Sequence, residues 1–310
     1  MGAGDRKENM RTAVLMSSYN GQKYIRQQID SILAQEGDFQ LELWVRDDGS
    51  TDGTKEILQE YAYRGQLNWY SGANMGPACS FLDLLGHCRG YDCYAFADQD
   101  DVWMKEKVQT GLNSLADRTG PALYFSNAEL VDAELQSLGR EVYKKSPRLD
   151  FYTLLCAGGL LGCTMVFNRG LAELLCRGDI PHNVVMHDFY AAIVCAALNG
   201  TIYFDMESHM KYRQHGDNVV GVSSGMGNAI KNRIEHITDR QKIGIAEQAE
   251  ELVNRYGMDM PENFRRWTEQ VAGYRKSFAG RLCLACSSKT QYVNRHTAFT
   301  LRMAILMGSR

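Results

Sequence analysis

At 310 residues, with 45% hydrophobic and 23% charged side chains, the chain has ordinary globular composition and enough length for a large core plus an appendage. Sixteen tyrosines, eleven phenylalanines and four tryptophans exclude a solvated disordered chain, and no apolar run approaches the roughly 18 residues needed to span a bilayer. The net charge of −3 is uneven, residues 226–310 carrying 14 Lys+Arg against 8 Asp+Glu, and this acidic front excludes nucleic acid as the main ligand.

The first ten residues, MGAGDRKENM, carry charges where an export signal needs an apolar stretch, so they read as a loose arm and a cytoplasmic location is expected. Thr12 to Ser17 is a short β-type run that ends in the polar turn SYNG. Tyr24, Ile25, Ile29, Ile32 and Leu33 then fall at helical spacing over Tyr24 to Gln35. Leu41 to Arg46 predicts a second strand, closed by DDGSTDGT, and Thr54 to Tyr61 a second helix. A third strand, Leu67 to Tyr70, ends at SGANMGP, a helix follows over Ala78 to His87, and a fourth strand, Tyr91 to Ala97, runs into DQDDVW. Strand and helix alternating over short connections predict βαβ units and a mostly parallel, Rossmann-like α/β sheet flanked by helices. In such sheets ligands collect beyond the carboxyl ends of strands, where each of these polar clusters lies. After about residue 225 the pattern turns to long, charged, helix-compatible stretches, so a helical region is expected over 226–310 behind a main domain of 1–225.

Asp98, Asp100 and Asp101 place three carboxylates within four residues, and their repulsion is relieved by a cation or by solvent. Mg²⁺ or Mn²⁺, which prefers hard oxygen ligands, suits such a cluster; an acidic solvated turn is the plain alternative. In Asp47-Asp48-Gly49-Ser50 the glycine permits a tight turn and the following polar residues can cap a helix. Capping does not account for the two acids, which can accept hydrogen bonds from a nucleobase or ribose. The nine cysteines are odd in number and sit mostly in apolar segments, and CLAC at 283–286 stands alone, so reduced thiols rather than a zinc site are expected.

SYNG, RDDGSTDGT, NMGPACSF and FADQDDVW, in this order and spacing, resemble the family 2 glycosyltransferases of the GT-A fold. DQDDVW with the later MHDFY and YRQHGDN is similar to the bacterial rhamnosyltransferase branch, and the likeness runs from about residue 12 to 222. The resemblance implies that Ser17 and Tyr19 line the nucleotide pocket, that Asp47 and Asp48 meet base and ribose, and that Asn74 and Gly76 form the next loop. It further implies that Asp98 and Asp100 form the family's DxD, with Asp100 the direct ligand of Mg²⁺ or Mn²⁺, and that Asp188 is the catalytic base. Arg213 and His215 match a late loop that closes on diphosphate and metal, whereas His187 stands where relatives often carry Glu. The implied enzyme is an inverting, metal-dependent glycosyltransferase moving L-rhamnose from dTDP-L-rhamnose to a cell-surface polysaccharide or lipid-linked acceptor. A UDP-hexose donor and a non-catalytic nucleotide-sugar-binding subunit stay open beside it.

The tail RHTAFTLRMAILM, residues 295–307, sets Phe299, Leu301, Met303, Ile305 and Leu306 among basic groups, and the last thirty residues contain no acid. Such a segment can lie on an anionic membrane at the inner face of the cell, or pack against the protein or a second copy in a homodimer.

Overall fold

The computed structural model describes residues 10–157, 160–181, 183–215, 244–289 and 295–308. The N-terminal arm, the GDN of YRQHGDN and the boundary drawn at 225 lie outside the described residues. The chain opens with β1 (Met10–Ser18), α1 (Ile25–Leu33), β2 (Phe39–Asp47), α2 (Thr54–Tyr63), β3 (Asn68–Ser71), α3 (Gly76–His87) and β4 (Cys93–Ala97). All seven elements fall where the periodicity places them. A short β5 (Val102–Trp103), α4 (Lys107–Leu115), β6 (Ala122–Val131) and β7 (Ser137–Glu141) follow. Next come α5 (Phe151–Ala157), a 3₁₀ turn at Gly162–Thr164, β8 (Val166–Asn168), α6 (Arg169–Leu175), α7 (His187–Ala197) and β9 (Thr201–Arg213). The C-terminal part supplies α8 (Ile245–Tyr256), α9 (Glu262–Gly273), α10 (Phe278–Cys286) and α11 (Arg295–Met307).

The sheet runs β3-β2-β1-β4-β8-β6-β9-β5, with β7 added on β6. Strands β3, β2, β1 and β4 are parallel, as the alternation predicts. Beyond β4 the sheet is mixed: β8 is antiparallel to both β4 and β6, β9 is parallel to β6, and β5 is antiparallel to β9. The antiparallel β8 is only three residues long, too short for a periodicity to show.

Ala13, Val14, Leu15 and Met16 of β1 are completely buried, as expected of a central strand covered on both faces. Ala13 and Leu15 join one apolar cluster with Phe81, Phe96 and α7, while Val14 and Met16 join another with Ile25, Ile29 and Leu58. The C-terminal helices extend the first cluster: Leu252, Tyr256, Trp267, Val271, Leu284, Leu301 and Ile305 all belong to it. The Tyr256 hydroxyl donates to the Leu174 carbonyl at 2.8 Å, and Phe264 stacks on Phe151 at 4.5 Å between ring centroids. These helices therefore share the core of the sheet domain.

Candidate functional site

Because β1, β2, β3 and β4 are parallel neighbours, their carboxyl ends meet on one edge. The register pairs Ser18 with Asp47, Asp47 with Ser71, and Met16 with Ala97. SYNG, DDGS, SGANMG and DQDD thus converge from sequence positions up to eighty residues apart. Gln99 fastens two of them, its Oε1 accepting from Tyr19 N at 2.9 Å and its Nε2 donating to Tyr19 O at 3.0 Å. Gly21 is required by that clasp, since a Cβ there would stand 2.3 Å from Gln99 Oε1.

In the loop that follows β2 the acids are buried and their oxygens hold backbone. Asp47 accepts from Gly49 N at 3.2 Å, Ser50 N at 3.1 Å and Ser71 Oγ at 2.7 Å, and Gly49 makes the turn with φ +86°. Asp48 accepts from Met75 N and Gly76 N, both at 3.0 Å, and from the Arg46 guanidinium. Arg46 is buried and also donates to Asp83 Oδ2 at 2.8 Å, to Ser80 Oγ at 3.0 Å and to the Ala73 carbonyl at 3.1 Å. It is the keystone of the loop, and the only sequence signal for it was a charge ending the apolar run LELWV. Ser17 and Ser80 share a hydrogen bond of 2.6 Å, whereas the Tyr19 ring, 48% exposed, and Asn74 face solvent.

At the DQDD end, Asp100 Oδ2 and His215 Nε2 lie 2.7 Å apart, and the His215 ring rests on Tyr24. Asp101 is completely buried; Oδ1 accepts from Arg213 N at 3.1 Å, and Oδ2 accepts no hydrogen bond among the described residues. Ligand atoms of Asp98, Asp101 and Cys163 lie within 4.8 Å of one another. Burial, and then the Asp100 and Asp98 charges, hold the Asp101 carboxyl well above the usual carboxylate range. Burial followed by Asp101 and Asp98 does the same to the Cys163 thiol, which therefore stays protonated. Lys107 is buried behind this cluster, its Nζ 3.6 Å from the Trp103 ring centroid, and burial pushes its ammonium down to about 7. Arg213 is a buried strut: Nε donates to the Asp100 carbonyl at 2.7 Å, Nη2 to Gln27 Oε1 at 2.6 Å and Nη1 to the Ala133 carbonyl.

These residues fit a hard divalent cation. Asp100 Oδ2 and His215 Nε2, hydrogen-bonded to each other at 2.7 Å, offer a carboxylate oxygen and an imidazole nitrogen, donor types that Mn²⁺ accepts. Asp98 supplies a further carboxylate, which lies with the buried Asp101 and the Cys163 thiol. Thiol sulfur is a soft donor, poorly matched to Mg²⁺ or Mn²⁺, so the carboxylates are the suited ligands beside Cys163.

Asp188 is the second residue of α7 and is buried, with Oδ2 accepting from Gly162 N at 3.1 Å. Beside it the His187 ring stacks on Phe81 at 3.8 Å and meets Phe96 edge-on at 4.7 Å. An aromatic slot is thus what this position fills. A single short turn ties the two chemical groups together, since Gly162 touches Asp188 and the next residue, Cys163, touches the acid cluster. Gly162, Cys163 and Lys107 carried no recognisable signal in sequence, and Gln99 showed only as part of DQDD, because each acts through a contact made across the fold.

The family model described as glycosyl transferase family 2 matches residues 13–175. The dTDP-rhamnosyl transferase RfbG of Shigella flexneri is 29% identical over 224 residues, covering 67% of this chain and 74% of RfbG. The abequosyltransferase RfbV of Salmonella typhimurium is 31% identical over 109 residues, 32% of each chain. Among solved structures, S. aureus TarS 1-349 in complex with UDP-GlcNAc superimposes with a TM-score of 0.54 at 16% identity, over 97% of this chain and 79% of that 1-349 chain.

Proposed function

The chain belongs to glycosyl transferase family 2 and has the GT-A fold, and on that premise we propose that it transfers L-rhamnose from dTDP-L-rhamnose, with inversion, to a saccharide or lipid-linked acceptor of the cell surface. The observation that carries this reading is the placement of Asp188 and of the Asp98–Asp101 cluster on consecutive residues of one turn, Gly162 and Cys163. The likeness to a relative named for dTDP-rhamnosyl transfer supports the choice of sugar.

Asp188 takes the proton of the acceptor hydroxyl as that oxygen bonds to the anomeric carbon and the bond to the diphosphate breaks. The N–H of Gly162 holds Oδ2 at 3.1 Å and the N–H of Phe189 holds Oδ1 at 2.8 Å, and together they fix the plane of the carboxylate that takes the proton. Asp98, Asp100 and His215 would hold a divalent cation, Mg²⁺ or Mn²⁺, which when bound neutralises charge on the departing diphosphate. Tyr19 offers an exposed ring face to the base, and Asn74 and Gly76 border the ribose, on a loop whose shape Asp47, Asp48 and Arg46 fix from within. Arg213 acts on the diphosphate through the DQDD backbone that it braces.

The test is a donor-hydrolysis and transfer screen over dTDP-L-rhamnose and several UDP-hexoses with Mg²⁺ or Mn²⁺. Preferential consumption of dTDP-L-rhamnose supports the proposal. Preference for a UDP-hexose overturns the sugar, and binding without turnover of any donor overturns the enzyme.

A further inference from the structure

Residues 270–310 hold seven Lys and Arg and no Asp or Glu. Within them, α10 and α11 form a helical pair, and Arg281 of α10 packs on Gly308 just past the end of α11. Each helix turns one apolar stripe inward: Leu284 and Ala285 of α10, and Leu301 and Ile305 of α11, are buried in the main core. Each also carries a second stripe that is exposed among the described residues. On α11 it is Phe299, Met303 and Met307, spaced four residues apart on one face, with Phe299 65% and Met307 66% exposed. On α10 it is Phe278, 70% exposed, and Leu282.

Twelve large apolar side chains are exposed among the described residues, and five of them sit on these two helices. A soluble surface rarely concentrates apolar groups in this way without a partner. The sign of the surrounding charge selects that partner: Lys276 and Arg302 are exposed, and the nearest acid in sequence is Glu269. Arg275 is paired with Glu247, and the exposed Lys276 and Arg302 give this face a basic rim complementary to a surface that is both greasy and anionic. We infer that the α10–α11 pair docks on anionic lipid, with Phe278, Leu282, Phe299, Met303 and Met307 entering the acyl boundary and the basic side chains meeting headgroup phosphates. No helix among the described residues is long and apolar enough to cross a membrane, so the contact is interfacial. Leu301 and Ile305, which the tail's sequence offers as equally apolar, are excluded from that contact by their burial.

The test uses the full chain and sucrose-loaded vesicles of phosphatidylglycerol with phosphatidylcholine, or of phosphatidylcholine alone, at low and high salt. Wild type is expected to sediment about tenfold more with the anionic vesicles and to lose that excess at high salt. The triple change Phe299→Ser, Met303→Ser and Met307→Ser should abolish sedimentation, and Arg302→Glu should weaken it several-fold. Met258→Ser, at an exposed methionine outside both helices, should leave it unchanged. Donor hydrolysis measured without vesicles reports folding of every variant independently of lipid. Equal sedimentation with both vesicle types, or sedimentation unaffected by the triple change, overturns the inference. So does a dimer in sedimentation velocity that the triple change dissociates while vesicle binding is absent, which would make this face a contact between copies.

Discussion

The backbone N–H of Gly162 donates to Asp188 Oδ2 at 3.1 Å, and a Cβ on Gly162 would stand 2.8 Å from Asp188 Cβ. The turn therefore orients the carboxylate and excludes any side chain of its own from the space beside it.

Replacing Asp188 by Asn keeps an oxygen able to accept from Gly162 but removes the base. Transfer should fall by about 10²–10⁴-fold while donor affinity stays within a few-fold of wild type. Acceptor-dependent product formation and donor titration, measured side by side, separate these two effects.

Gly162→Ala should act on kcat rather than on donor affinity. Displacing the carboxylate by a fraction of an ångström to one ångström costs up to about 10²-fold in rate. A variant with wild-type turnover would show that the turn yields without moving Asp188.

For the cation, Asp100→Asn and His215→Ala should each weaken metal-dependent donor binding by about tenfold or more. Binding measured in chelator should be unchanged, because the loops fixed by Arg46 and Gln99 are untouched. If both variants keep the wild-type response to Mn²⁺, the ligands lie elsewhere in the acid cluster.

Arg46→Met should destabilise the fold by about 3–5 kcal/mol in denaturant unfolding, the usual cost of leaving a buried ionic partner uncompensated. Here the partner is Asp48, with Asp83, 20% exposed, beside it. Adding Asp48→Asn to Arg46→Met should recover part of that loss.

Lys107 gives a pH signature. Burial lowers its ammonium from 10.5 to about 7, so its contribution to stability is present above pH 10.5 and is lost as pH falls toward 7. Between those limits the lysine adds a slope approaching about 1.4 kcal/mol per pH unit. Lys107→Met should remove that slope and exceed wild-type stability most below pH 7. Asp101 acts oppositely: its raised carboxyl favours the fold below about pH 4 and loses that effect as pH rises through its folded value. Comparing unfolding of the two proteins in chelator across pH isolates the lysine.

The first four strands and their loops were legible because each strand is a short, largely apolar run closed by a glycine-containing or acidic turn, a pattern carried by adjacent residues. Asp98, Asp100 and His215 could be named from motifs, and the fold sets Asp100 and His215 side by side. Illegible were the groups defined by distance across the chain. Cys163 reads as an ordinary apolar thiol until α7 and the DQDD loop close on its turn. Arg213 reads as a surface cation near phosphate, yet its guanidinium is used on Gln27, Ala133 and Asp100, partners between 80 and 186 positions away. The mixed half of the sheet escaped for the same reason, since the strand order depends on pairings that no local periodicity encodes.

The parallel pairing of β9 with β6 sets an order on how the protein comes into being at the ribosome. Ala122 must wait for Thr201, and Val131 for Arg213, whereas β1, β2 and β4 can join as soon as residue 97 is made. Until then β6 presents an unpaired edge on one side, the kind of edge that other nascent strands can capture. The DQDD backbone likewise lacks its brace until Arg213 emerges, long after its own residues have left the exit tunnel. A chain cut short before β9 is therefore both sticky and without a finished acid cluster, so premature termination yields a target for proteolysis rather than a partly active fragment.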